Sequence, residues 1–191
     1  MVMVGTDRAE VERSLVSGRL SCPSCQGVLA PWGHARSRSS RGPDGTIRHR
    51  PRRARCTGCR GTHVLLARVW LWRRADAVSV IGAALEAKAV GAGHRSIASG
   101  LGRPATTVRG WLRRFAARAE QVRAEFTRLL LALDPLAAPL APRASALADA
   151  VEAIGRAAAA AVLRLSPTPA WELAAGATGG RLLAPSTEGG W

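Results

Sequence analysis

The sequence predicts a mainly α-helical fold with one small β module near its N-terminus, built as short units in series rather than as one large domain. Three observations lead there. Two Cys-x-x-Cys pairs, Cys22/Cys25 and Cys56/Cys59, enclose a stretch that contains the turn Gly42-Pro43-Asp44-Gly45. Two short segments with apolar residues at three- and four-residue steps meet at Gly102-Arg103-Pro104. Beyond them an Ala- and Leu-rich stretch keeps the same step over much of the remaining chain. At 191 residues with 4% aromatic content, six Trp, two Phe and no Tyr, the chain suits small modules, and a large multidomain enzyme is excluded.

Charge narrows the class of partner. Lys and Arg total 28 against 13 Asp and Glu, a net charge of +15 and a pI near 11.7, which points to a polyanion, nucleic acid before any acidic small substrate. Residues 1–118 hold 22 of the basic and six of the acidic residues, so the polyanion-facing part is N-terminal. Every basic residue except Lys88 is an arginine, which suits two-pronged phosphate and guanine contacts. No uncharged apolar run approaches the roughly 18 to 20 residues of a membrane helix, and Met1 to Glu12 lacks a basic-then-apolar leader pattern. A cytoplasmic protein with no membrane partner is therefore expected. In that setting four cysteines in two tight pairs read as metal binding before disulfides.

Residues 1–19 are expected to form a tail or short helix, and residues 20–74 a four-cysteine zinc ribbon. Cys22-Pro23-Ser24-Cys25-Gln26-Gly27 and Cys56-Thr57-Gly58-Cys59-Arg60-Gly61 are matching knuckles, each with a glycine two positions past the second cysteine. A tight turn of this kind points both sulfurs at one ion, and the glycine lets backbone N–H groups approach the thiolates. One structural Zn²⁺ on Cys22, Cys25, Cys56 and Cys59 follows, with no open position for catalysis. His63 could replace a ligand, but four sulfurs already complete a tetrahedron, so it reads as structural or solvated. A redox dithiol leaves the paired glycines unexplained. The Gly42–Gly45 turn implies a β-hairpin that carries one knuckle to the other, and Thr62 to Trp72 supplies a closing strand. Nine arginines crowd residues 36–60 with Asp44 as the only acid among them. Of these, Arg36, Arg38, Arg48, Arg50, Arg52 and Arg53 are the candidate phosphate contacts. The competing reading is a solvated face that merely offsets the two negative charges of a zinc tetrathiolate.

Residues 75–118 read as a three-helix helix-turn-helix unit. Asp76 is placed to cap a first helix with Val78, Ile81, Ala84 and Leu85 on one face, ended by Gly91-Ala92-Gly93. The second helix, His94 to Leu101, turns Ile97, Ala98 and Leu101 inward, Gly102 permits the turn, and Pro104 opens the third helix, with Val108, Trp111 and Leu112 inward. Arg103 stands where such turns usually carry an aliphatic residue, which predicts a more exposed turn. The opposite face of the third helix carries Ala105, Thr106, Arg109, Gly110 and Arg113, the candidate base-reading surface. A purely structural unit with a charged outer face is the alternative.

Residues 119–165 are expected to be an α-helical hairpin or a dimerisation region. Leu112, Phe115, Ala119, Val122, Phe126, Leu129 and Leu133 form a heptad-like seam running on from the third helix, so a homodimer through residues 112–133 competes with a hairpin. Asp134-Pro135 stops it, and Leu147, Val151, Ile154, Ala158 and Leu165 resume the spacing. Residues 166–191, rich in Gly and Pro, are expected to be a flexible tail apart from a short turn near Trp171.

The Cys-Pro-Ser-Cys knuckle at Cys22 resembles the zinc-ribbon plus helix-turn-helix front end of insertion-sequence transposases, as do Pro31-Trp32-Gly33-His34, Arg52-Arg53-Ala54-Arg55-Cys56, Thr62-His63-Val64-Leu65-Leu66, Ile97-Ala98 and Thr107 to Arg114. As a whole the chain resembles short actinobacterial transposase-like proteins of unassigned function. The resemblance spans residues 20–118 and implies double-stranded DNA as partner, with a transposase as a second candidate. Full transposases continue into a nuclease-like domain with three metal-binding carboxylates, and the 73 residues after Arg118 lack the strands to gather them. The expected function is therefore a sequence-specific, nucleoid-associated DNA-binding protein that is not an enzyme, serving as an element-end accessory or a repressor. An RNA- or ribosome-associated zinc protein is the alternative.

Overall fold

The computed structural model describes residues 1–164 and 167–184. Seven α-helices and a small β component of six strands make up the described part, with the strands confined to residues 1–67. The strands are β1 (Val2–Val4), β2 (Leu29–His34), β3 (Arg38–Gly42), β4 (Gly45–His49), β5 (Arg52–Cys56) and β6 (Thr62–Ala67). The helices are α1 (Arg8–Val16), α2 (Val78–Ala89), α3 (His94–Leu101), α4 (Ala105–Ala116), α5 (Ala119–Leu133), α6 (Ala146–Arg164) and α7 (Ala170–Ala177).

One sheet has the order β1-β6-β5-β2, and β3-β4 is a separate two-stranded sheet. In β5 the period-2 rule puts Arg53 and Arg55 on one face and Arg52, Ala54 and Cys56 on the other, where Ala54 and Cys56 are buried and Arg52 is half-buried. The small core under this sheet joins Leu15 of α1 to Cys22, Leu29, Ala54, Cys56 and Leu65. The expected short N-terminal helix is present, capped by Asp7, whose Oδ1 accepts from the Ala9 N–H at 2.8 Å. The strand before it was not legible. β1 is three residues long and lies parallel on β6 with Val2 opposite Leu65, so its position depends on a partner more than sixty residues away. The Gly42–Gly45 turn closes β3 on β4 as expected, with Gly45 at φ 129°. That hairpin does not join the knuckles. β2 and β5 do, with Leu29 opposite Cys56.

The helices share a larger core. Val78, Ile81, Ala84 and Leu85 of α2 are buried, as are Ile97 and Ala98 of α3 and Val108, Trp111, Leu112 and Phe115 of α4. Gly102 ends α3 at φ 60°, ψ 40°, the left-handed conformation the short turn to α4 requires. One expectation fails at this point and another holds only in part. Asp76 does not cap α2: Ala77 holds the N-cap position without a side-chain bond, and Asp76 is buried between two arginines. The turn is exposed at Gly102 and Pro104, but Arg103 itself is half-buried, because its guanidinium donates to Asp76 Oδ1 at 2.7 Å and to the Gly42 carbonyl at 3.0 Å. The turn is docked on the β3–β4 hairpin.

The seam from Leu112 to Leu133 is broken between α4 and α5, where the buried Arg118 donates to the carbonyls of Arg181 and Ala184 at 2.7 and 2.8 Å. Val122, Phe126 and Leu130 of α5 are buried in the same core as the small residues Ala150, Ala153 and Ala157 of α6, and the two helices pack against each other. Leu165 lies outside the described residues. Residues 167–184 are not a loose tail. Trp171 is buried against α2, where a Cβ at Gly82 would run into its ring, and its Nε1–H donates to Glu86 Oε1 at 2.7 Å. Leu182 and Leu183 are fully buried, and the Trp72 N–H bonds to the Gly180 carbonyl at 2.8 Å. Glycines at φ 56° and 77°, Gly179 and Gly180, supply the turn that brings this segment back. A Gly- and Pro-rich composition fits this order because these residues form turns that deliver Trp171, Leu182 and Leu183 to the core. Residues 185–191 lie outside the described residues.

Candidate functional site

The two knuckles fold alike. Gln26 and Arg60, each directly after the second cysteine, take left-handed φ values of 61° and 62°. The Cys22 N–H then bonds to the Gly27 carbonyl at 2.8 Å and the Cys56 N–H to the Gly61 carbonyl at 2.9 Å. Gly27 leaves little room for a side chain: a Cβ there would lie 3.1 Å from Cys56 Sγ and 3.4 Å from Cys25 Sγ, so the sulfurs would have to give way by a few tenths of an ångström. The Gly27 and Gly61 amides bond to the Cys25 and Cys59 sulfurs, the role their spacing implied, and Gly27 also brings its knuckle close to Cys56 of the other.

All four sulfurs lie within 4.8 Å of one another, with Cys22 to Cys59 at 3.7 Å and Cys25 to Cys56 at 3.4 Å. No pair forms a disulfide. Metal–sulfur bonds of about 2.3 Å at tetrahedral angles place sulfurs roughly 3.8 Å apart, so the cluster has the dimensions of a four-thiolate site. Cys22 and Cys56 are buried, Cys25 and Cys59 exposed. The Ser24 amide leads in lowering the Cys22 thiol to about 7, and the Gly27 amide leads in lowering Cys25 to about 6. Cys59 goes the other way. The Gly61 amide favours its thiolate, but the three neighbouring sulfurs outweigh it and hold the thiol at about 11. Four thiolates at this spacing repel one another, and a bound cation relieves that repulsion. His63 is buried beside the cluster, its Nε2 3.4 Å from Cys22 Sγ and its Nδ1 3.3 Å from the N-terminal amine. Among the described residues no other group of three or more His, Cys, Asp or Glu side chains converges as a ligand set.

The arginines of residues 36–60 divide into two kinds. Arg36, Arg38, Arg48 and Arg50 are exposed along and beside the β3–β4 hairpin, and Arg53 is half-buried with a 3.2 Å bond to Thr62 Oγ1. Arg52 is committed elsewhere: it forks onto both Glu12 oxygens at 2.9 and 2.8 Å and onto the Gly33 carbonyl at 2.7 Å. It ties α1 to β5 and is withdrawn from the set of phosphate contacts. Arg41 is likewise held, by Asp76. Arg55 lies over the exposed Trp32 ring at 4.7 Å.

On α4, Thr106, Arg109 and Arg113 are exposed, Ala105 and Gly110 half-buried, opposite the buried Val108, Trp111, Leu112 and Phe115. Gly110 accommodates the Arg114 side chain, whose Nη1 donates to its carbonyl at 3.1 Å. Asp76 joins these two basic regions, accepting from Arg41 Nε and Nη2 at 2.9 and 2.7 Å while Arg103 donates from the α3–α4 turn. One carboxylate, 2% exposed, fixes the hairpin to the helices. Sequence reasoning missed it because an acid just before an apolar-periodic run is indistinguishable from an N-cap. A second cluster it missed is Trp72, with Arg73 at 4.5 Å and Arg181 at 5.9 Å from its ring, since Arg181 arrives from the segment expected to be loose.

Comparison with protein-family profiles, with curated proteins and with solved structures finds no match to this chain.

Proposed function

We propose that this chain is a sequence-specific double-stranded DNA-binding protein of transposase-like, mobile-element origin. It would act without a catalytic domain of its own, as an element-end recognition accessory beside a transposase or as a repressor. In this reading α3, the Gly102 turn and α4 form the helix-turn-helix, α2 supports it, and α4 enters the major groove. The carrying observation is the division of α4: four large apolar residues seal one side, while Thr106, Arg109 and Arg113 stand exposed on the other. Arg109 and Arg113 are one turn apart, and each guanidinium can donate two parallel bonds to guanine O6 and N7. Arg36, Arg38, Arg48, Arg50 and Arg53 serve as phosphate contacts that position the protein without reading sequence.

The metal is Zn²⁺, held by Cys22, Cys25, Cys56 and Cys59 in a zinc ribbon. Sulfur-only ligation at tetrahedral dimensions favours it. Its contribution is structural, because a core of six buried residues, two of them cysteines, is too small to hold residues 20–67 without a cross-link. Trp32 with Arg55 gives some support to a second reading, RNA binding, since an exposed ring beside a guanidinium is a stacking platform. Competition of duplex DNA against structured RNA for the purified protein separates the two. Duplex DNA displacing RNA supports the helix-turn-helix reading, and the reverse order overturns it.

A further inference from the structure

A cavity of about 410 Å³ opens where the cysteine module meets the helices, between α1, the β3–β4 hairpin, β6 and the start of α2. Its lining is mainly apolar, with Val11, Leu65, Leu66 and Val69 and the exposed Ile47 at its mouth. One wall carries a stacked aromatic pair, the His49 ring on Trp70 with centroids 4.7 Å apart and planes 11° from parallel. Burial holds His49 below the usual imidazole range, so that wall is uncharged near neutral pH. The rim is cationic. Arg8 and Arg50 are exposed there, and neither forms an ion pair among the described residues. The rim's acid, Glu12, is already neutralised by Arg52.

We infer that this cavity binds a small planar aromatic monoanion, its ring system inside against the apolar wall and its carboxylate or sulfonate at the rim with Arg8 and Arg50. The volume lies within the range of small-molecule sites, and an apolar interior with a few convergent polar groups is their usual chemistry. A phosphate of a nucleic acid backbone would use the rim and leave the apolar wall empty. A neutral hydrocarbon would fill the wall and leave the Arg8 guanidinium without a counter-charge. Ile47 and His49 belong to the hairpin that Arg41 and Asp76 fasten to the α3–α4 turn, so an occupant would press on the element that positions α4. The binding claim itself does not depend on what α4 recognises.

The test uses the full chain as purified and 8-anilinonaphthalene-1-sulfonate as fluorescent probe. Saturable enhancement with one site per chain is expected, and 2-naphthoate should displace the probe at about tenfold lower concentration than the neutral 2-naphthalenemethanol. Arg8→Glu, at an exposed position, should weaken probe binding by about fivefold or more. Ser79→Phe, which places a ring at the rim from an exposed position, should abolish it with the circular dichroism spectrum unchanged. Enhancement that does not saturate, equal competition by the acid and the alcohol, or binding untouched by both substitutions would each overturn the inference.

Discussion

Asp76→Asn removes one charge and leaves the shape of the side chain nearly intact, so it isolates the electrostatic joint between the hairpin and the α3–α4 turn. In the native chain the carboxylate accepts three short bonds, two from Arg41 and one from Arg103, with side-chain exposures of 3% for Asp76, 14% for Arg103 and 43% for Arg41. Breaking a buried ion pair costs about 3–5 kcal/mol, because the remaining charge loses its partner without regaining water. Arg41 is exposed enough to rehydrate, so the cost comes mainly from Arg103 and should fall near the lower end, about 3 kcal/mol. For a chain of this length that lowers Tm by roughly 6–12 °C. Urea unfolding followed by circular dichroism reads the free energy, and Arg103→Met with the double variant completes a cycle. A joint predicts a coupling above about 1.5 kcal/mol between positions 76 and 103. A helix cap predicts instead a loss of only about 1 kcal/mol and no coupling to Arg103. A coupling indistinguishable from zero would refute the joint.

Three further outcomes follow from the same geometry. Metal analysis of protein purified under reducing conditions should give one zinc per chain, absent from the Cys56→Ser/Cys59→Ser variant, and chelation should unfold the β module before the helices; zinc retained by that variant would remove the assignment. Neutralising Arg38, Arg48 and Arg50 together should weaken binding to every duplex and reduce the salt slope by about 0.9 per lost phosphate contact, whereas Arg52→Gln should lower stability through Glu12 and leave that slope unchanged. His49, whose half-buried ring titrates below its unfolded value near 6.5, contributes stability that is complete above about pH 6.5 and is lost as pH falls towards its folded pKa, because the unfolded chain takes the proton first. The wild type should therefore lose more stability than His49→Gln between pH 7.5 and 5.5, and equal losses would exclude it.

The cysteine cluster was legible because its geometry is local: two residues between sulfurs and a glycine two positions on determine a knuckle whatever surrounds it. The interior faces of α2, α3 and α4 were legible for the same reason, since their periodicity alone says which side is buried. What escaped depends on long-range contacts. β1 is defined by β6, Asp76 by residues 35 and 27 positions away, and Arg118 by carbonyls beyond position 180. The arginine run shows the limit of counting charge. Nine residues of one type read as one surface, yet Arg41 and Arg52 face acids from other segments, and no feature of their own neighbourhood marks them. The expected loose tail failed similarly, because Gly179 and Gly180 form a turn that returns Leu182 and Leu183 to the core.

In the proposed function α4 reads bases through Arg109 and Arg113. Selection of duplex DNA from a random library, run in parallel with the wild type and with Arg109→Ala/Arg113→Ala, tests it most directly. The account predicts a defined consensus for the wild type. The double variant should stay folded and bind duplex DNA non-specifically with near-wild-type salt dependence, lose preference at a few base pairs, and bind the preferred site more weakly by about 1–3 kcal/mol per arginine. A wild type that enriches no sequence, or a folded double variant that selects the same consensus with undiminished affinity, would contradict it.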